Sequence, residues 1–234
     1  MFATTGAKEF AADCPIMVRR TKEAAAETRE QLLEAAERVF RKRGVTRTSL
    51  ARIASTAGVT RGAVYWHFRD KIDLFDAMCA RATSPMQALL DRASEDARAG
   101  ALATLRTICL QALIHLATDS RAQAFFEIIF HKSELVGEME RLAHRHERES
   151  KSARKRIEAI LRRAIAQREL PADTDPVIAA HVVHGFVIGL MHEWVIDPSA
   201  YDLAGAAPSI VELLVAGLCA HPPRKRRGIR RRTP

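Results

Sequence analysis

TRTSLARIASTAGVTRGAVYWHFRDK, residues Thr46 to Lys71, decides the fold. Leu50, Ile53 and Ala54 recur at helical spacing and give a short helix one apolar face. Ser49, or Thr48, stands where a hydroxyl accepts from the free amides of a first turn. Ala57-Gly58-Val59 reads as a turn, because glycine enters the left-handed conformation that ends a helix without steric cost. Thr60 then caps a second helix of about two turns. Helix, tight glycine turn and helix make a helix-turn-helix, a motif whose second helix enters the major groove of DNA.

Charge agrees with that reading locally rather than globally. Eight Lys or Arg fall between Arg41 and Lys71 against one acid, Asp70. The chain of 234 residues carries a net charge of +9, but Arg224 to Arg232 alone holds seven basic residues, and setting them aside leaves +2. The body is therefore nearly neutral, and a nucleic-acid surface on it has to be local. Cys14, Cys79, Cys109 and Cys219 lie far apart without a CxxC, which fits a reducing compartment better than a zinc site or a disulfide framework. No apolar run is read as reaching the roughly 18 to 20 residues of a bilayer span, and no signal peptide is seen. The expectation is a soluble, cytoplasmic protein with no membrane partner.

Working outward, residues 1–16 are set aside as a disordered extension, with Pro15 interrupting any pattern. A helix from Glu23 to Lys42 shows Leu32, Leu33, Ala36, Val39 and Phe40 on one face and ends near Gly44. Its apolar face packs on the two motif helices, giving a three-helix head over residues 17–70. Lys71 opens a longer helix with Ile72, Leu74, Phe75 and Met78, and Ser84-Pro85 is expected to kink or break it. Residues 91–100 read as a loop. Further helices follow at Leu102 to Thr118, Arg121 to Ser133 and Glu138 to Arg168. Asp175-Pro176, cap and first-turn proline, opens another, and a last one covers Ala206 to Leu218. With no strand alternation and no internal repeat, the fold class is all-α. Residues 71–221 form the second domain, and 222–234 are expected to be a basic disordered tail that adds salt-sensitive DNA affinity.

The helix from Pro176 to Ile196 is apolar on every side, so it must be buried on every side. One face meets the core and the other a second subunit, with Gly185 and Gly189 on one face allowing close helix approach. Val183, Phe186, Val187 and Leu190 here, with Val211 and Leu214 on the last helix, are the expected interface of a homodimer. A central core helix of a monomer is the alternative. Two-fold partners reading two half-sites suit a DNA reader better, because one short recognition helix carries little specificity.

VTRGAVYWHFRDKIDLF after TSLARIASTAGV resembles the DNA-binding signature of TetR-family transcriptional repressors. FFEIIFHKSELVGEME, the run ending in LPAD, and GFVIGLMHEWVIDPSAYDL resemble the ligand-binding domain of the AcrR-like branch, repressors of multidrug efflux pumps. The resemblance runs from about Met17 to Cys219. It implies that Thr48, Thr60, Tyr65, His67 and Lys71 hold phosphates of a double-stranded operator. From chemistry, Arg61 is the base reader, since its fork matches the two major-groove acceptors of guanine and such a pair discriminates by about one to two orders of magnitude. Gly62 lets the helix backbone lie close to the bases, and Tyr65 can also touch a thymine methyl. Ala63, Val64, Trp66 and Phe68 are assigned to packing the head.

For the second domain, Met78, Ile108, Leu113, Phe126, Phe130 and Met139 have the large flexible or aromatic side chains that line an apolar cavity, although each alone fits a core equally well. Glu127, like Glu193, lies among apolar neighbours as a candidate anchor for a cation. On the fourth helix AcrR-like relatives carry an acid associated with cationic drugs, and Thr83 stands there in this chain. A small lipophilic effector, homodimerisation and no cofactor are what the resemblance implies. His144, His146 and Glu147 near His131 have metal-ligand character, but alternate residues on a helix point apart, so no metal site is expected. His181, His184 and His192 are placed near the subunit seam. No nucleophile elbow, phosphate loop or dinucleotide fingerprint supports an enzyme. A ligand-responsive repressor is thus weighed against a general or architectural DNA-binding protein whose tail dominates binding and which has no inducer.

Overall fold

The computed structural model describes residues 15–95, 100–131 and 140–225, and every statement of structure refers to these. They form α1 (Pro15–Arg43), α2 (Leu50–Ala57), α3 (Arg61–His67), α4 (Lys71–Glu95), α5 (Ala101–Thr118), α6 (Ser120–His131), α7 (Glu140–Ala166), α8 (Pro176–Ile196) and α9 (Leu203–Ala220). Each short helix carries its own start and stop. The Ser49 hydroxyl accepts from Arg52 N–H at α2, the Thr60 hydroxyl from Ala63 N–H at α3, and Gly58 sits at φ 71° and closes α2. Asp175 accepts from Val177 and Ile178 at the head of α8.

Some boundaries move. Pro15 begins α1 instead of interrupting it, since a first-turn proline lacks only an N–H that has no intrahelical partner anyway. Pro85 does not break α4, which runs on to Glu95 and so takes in half of the expected loop. Pro208 similarly lies inside α9, which starts at the Asp202 cap rather than at Ala206. The expected extension otherwise falls outside the described residues, as do most of the tail and Met139. Residues 222–225 of that tail are fixed. Asp175 N–H donates to Pro223 C=O at 2.6 Å, Lys225 N–H to Asp173 C=O at 2.9 Å, and Arg224 pairs with the Asp173 carboxylate.

Two cores divide the interior. The first gathers Leu32, Leu33 and Phe40 of α1, Ile53 of α2, Val64 of α3, and Leu74, Phe75 and Met78 of α4, together with Phe125 and Ile128 of α6. The Phe40 and Phe75 rings meet edge to face with centroids 5.6 Å apart. Replacing the fully buried Phe40 by alanine is expected to cost about 3 to 5 kcal/mol, seen as a lowered urea midpoint at unchanged slope. The second core packs α5 against α7, α8 and α9 through residues such as Leu105, Leu116, Leu161, Val183 and Val215. Three helices, α5, α8 and α9, are long and apolar enough to cross a membrane by length and composition, which corrects the expectation that no such run exists. Their apolarity has a simpler origin: each presents a face to this second core.

Candidate DNA-reading surface and effector cavity

The helix-turn-helix leaves one face of α3 bare. Arg61, Gly62, Tyr65 and Trp66 are exposed, while Val64 and the C-cap Phe68 are buried in the head. Arg61 Nη2 donates to the Tyr65 hydroxyl at 3.3 Å, and the guanidinium lies over the Tyr65 ring at 5.6 Å. The pair occupies the i, i+4 positions of one helix face. Trp66 is 73% exposed, with its ring edge against His67, so its assignment to head packing is corrected. An exposed indole of this size joins Tyr65 in the surface offered to a partner. Burial, and after it the Arg29 guanidinium, pulls the His67 imidazole below its ordinary range.

A groove of about 350 Å³ runs beside this face, where Thr48, Arg61, Tyr65 and Lys71 meet Ser49, Leu50, Ala51 and Arg69. The amides at the start of α2 with Arg61, Arg69 and Lys71 make a surface suited to phosphate oxygens. Sequence reasoning missed Arg69 and the α2 amides, although the capping hydroxyl of Ser49 marks that helix start. Thr60, Gly62 and His67 lie outside the groove. Thr48 departs from its assignment: it is buried and its hydroxyl donates to Gly44 C=O at 2.8 Å, so the proton a phosphate would need is already used. Lys71 Nζ donates to Thr46 C=O at 3.2 Å. The Asp70 carboxylate caps α4 by accepting from Asp73 N–H at 2.8 Å, so that helix start already holds its anion.

Further along α4, at residues 82–90, lies a second cavity of about 270 Å³. Its walls are Ala82, Met86, Ala112, Phe125, Phe126 and Met191, and its polar groups include Thr83, Gln87, His115, Glu149, Arg156 and His184. Arg156 pairs with Asp91 at 3.1 Å, and the Thr83 hydroxyl donates to Cys79 C=O at 3.0 Å. Of the residues expected to line a cavity, Thr83 and Phe126 do. Met78 is buried in the head core, and Ile108 and Leu113 are buried in the second core. Phe130 packs between the rings of Phe126 and His192 at 5.4 and 4.9 Å. Glu127 is ion-paired with Arg41 at 2.7 Å and Glu193 is exposed, so neither anchors a ligand here. His184 lines the cavity rather than a seam. No cluster of three metal-binding side chains occurs among the described residues. Cys109 is inert, because burial pushes its thiol up to about 12.

The expected interface residues also divide. Val183, Val211 and Leu214 are buried inside the chain, and Phe186, Val187 and Leu190 are half-buried against its core. The apolar groups that stay bare on α8 and α9 are Val177, Ile178, Val182, Ile196 and Leu213. A methyl group placed on Gly185, Gly189 or Gly217 would meet nothing within 4 Å. Ile178, Val182, Gly185 and Gly189 share one stripe by helical spacing, so the uncovered face is rotated from the expected one.

An all-α chain with a bare recognition helix beside the start of α4 and an apolar cavity further along that helix defines a helix-turn-helix regulator. Residues 32–78 match the bacterial regulatory proteins of the tetR family, and residues 100–219 match the C-terminal region of MAATS-type transcriptional repressors. The chain is 39% identical over 199 residues to the HTH-type transcriptional regulator AcrR of Shigella flexneri, covering 85% of this chain and 93% of that protein. It is 39% identical over 189 residues to TtgR of Pseudomonas putida, covering 81% and 90%. Among solved structures it is similar to NalD, the secondary repressor of the MexAB-OprM multidrug efflux pump of Pseudomonas aeruginosa, with TM-score 0.74, 32% identity and 83% and 97% of the two chains covered. It is also similar to SmeT in a complex with triclosan, with TM-score 0.73, 34% identity and 82% and 91% covered. The chain belongs to the TetR family of transcriptional repressors, in its AcrR-like branch.

Proposed function

We propose that this protein is a cytoplasmic, homodimeric repressor that binds a palindromic operator and is released by small lipophilic compounds, and that it controls a multidrug efflux operon. The observation that carries the reading is that one 25-residue helix, α4, begins at Lys71 in the groove beside the exposed Arg61–Tyr65 pair and further along, from Ala82 to Leu90, lines the apolar cavity. The efflux assignment rests on NalD and AcrR-like relatives matched over nearly their whole lengths. Residues 17–70 read DNA and 71–221 bind effector and partner, a division by role. Two recognition helices must then sit about 34 to 36 Å apart, or a multiple of that, to meet successive major grooves.

The favoured effector is uncharged and aromatic. The cavity's walls are largely apolar, and its two fully charged lining groups, Arg156 and Glu149, are of opposite sign. An ion entering there would lose part of its hydration and meet a like charge along with an opposite one, at a cost of several kcal/mol. Selection of bound DNA, then footprinting with and without a panel of compounds, tests the whole reading. Triclosan and similar neutral aromatics should lift the footprint, and tetraphenylphosphonium should not. Release by no compound sinks the effector assignment, and no selected sequence sinks the repressor.

The architectural alternative makes a contrary prediction about the tail. Residues 222–225 are fixed on the loop after α7, at the end where Ala101 and Leu102 amides donate to Gln167 and Glu169. That is the end of α4 far from the head. Arg232 lies seven residues past Lys225, a reach of at most about 25 Å, whereas α4 alone is about 37 Å long. Deleting residues 226–234 is therefore expected to change operator affinity by less than about threefold. A loss of most binding in gel-shift titrations would favour the architectural reading.

A further inference from the structure

Two residues belong at once to the core of the reading head and to the wall of the effector cavity: Ala82 on α4 and Phe125 on α6. Ala82 offers only a methyl group. Phe125 is 5% exposed, and its ring stands 4.9 Å, edge on, from Phe126, which packs against both cores and also lines the cavity. Ile128, one turn on, is wholly buried in the head core. Glu127, between them, reaches Arg41 in the last turn of α1 at 2.7 Å. Arg121 near the start of α6 stands 3.8 Å from Glu34, also on α1. α6 is thus held to the head by apolar packing and by ion pairs to α1, in addition to the covalent link through α4.

Close-packed interiors move between discrete arrangements and do not yield gradually. A molecule in the cavity presses on a ring whose other neighbours are in the head. We infer that Phe125 is a positioning residue for operator release: cavity occupancy passes to the head through its ring and α6, with the Arg41–Glu127 pair holding α6 on α1 in the reading state. This rests on the repressor function proposed above.

Filling the cavity from its opposite wall tests the inference without an identified effector. Ala153 lines the cavity from α7 and is half-buried, and Ile188 lines it from α8. Ala153→Trp, with Ile188→Trp as a second filler should the first fail to fold, is expected to weaken operator binding by about tenfold, within the usual range of allosteric coupling. Phe125→Leu keeps an apolar filling, and the operator affinity of that single variant is the reference for the filler in its background. In the Phe125→Leu background the filler's effect should shrink below about threefold. Glu127→Gln keeps the shape, removes the charge and should weaken operator binding about two- to fivefold with the cavity empty. Equal filler effects in both backgrounds, or no filler effect in a variant with native circular dichroism, overturn the inference. An unchanged Glu127→Gln affinity removes the ion pair from it. Failure of the native chain to select an operator is a different result, and falls on the repressor reading instead.

Discussion

Arg61→Ala should lower affinity for the selected operator by about 10- to 100-fold and flatten base preference at one position of each half-site, while affinity for unrelated DNA changes little. The reason lies in geometry. Arg61 is exposed on the bare face of α3, and its guanidinium is steered by the Tyr65 hydroxyl at 3.3 Å. That steering orders a long side chain before DNA arrives, so less freedom is lost on binding. Tyr65→Phe should accordingly reduce the same preference to a smaller extent. Competition titrations against operators altered at each position would check it, and uniform weakening at every position would instead make Arg61 a phosphate contact.

Val182→Glu should leave the fold intact and yield a monomer. Val182 is 48% exposed in the single chain, so a carboxylate there meets water until a partner arrives. On a two-fold seam both copies would bury it together, at a cost of at least about 3 kcal/mol, or a hundredfold in self-association. Operator affinity should fall with it, because one head holds one half-site. Val183→Ala, one residue away and fully buried, should behave oppositely, lowering thermal stability while leaving the dimer. Sedimentation equilibrium at micromolar concentration separates the two outcomes, and a persistent Val182→Glu dimer would move the interface elsewhere.

The contrast between Val182 and Val183 shows where the sequence stopped informing. Elements and caps are legible because each is a local event: Ser49, Thr60 and Asp175 accept from amides within three residues of themselves, and Gly58 N–H donates to the Ser55 and Ala54 carbonyls just before it. The phase of α8 is not. A helix apolar on every side has no polar stripe to mark which face is outward, and three of the six expected interface residues, Val183 on α8 and Val211 and Leu214 on α9, belong to the core. The cavity failed for a related reason. Met78, Ile108 and Leu113 have the composition of pocket walls, but composition does not distinguish a wall with space beside it from one without. Glu127 was noticed as an acid among apolar neighbours. Its partner Arg41 is 86 residues away in sequence, a separation no local pattern reports. Trp66 stands between residues that pack the head, Val64 and Phe68, and only the orientation of α3 brings its indole out.

The division of the interior also bears on modularity. Residues 17–70 bring Leu32, Leu33, Phe40, Ile53 and Val64 to the first core, while Leu74, Phe75, Met78, Phe125 and Ile128 come from beyond them. An excised reader would expose the rings and aliphatic groups that those five now cover, and it is too small to compensate from its own composition. The DNA reader is therefore no portable unit to be grafted onto another sensor. The core it belongs to takes in α4 and α6, and any chimera joined at Lys71 would inherit a half-built core.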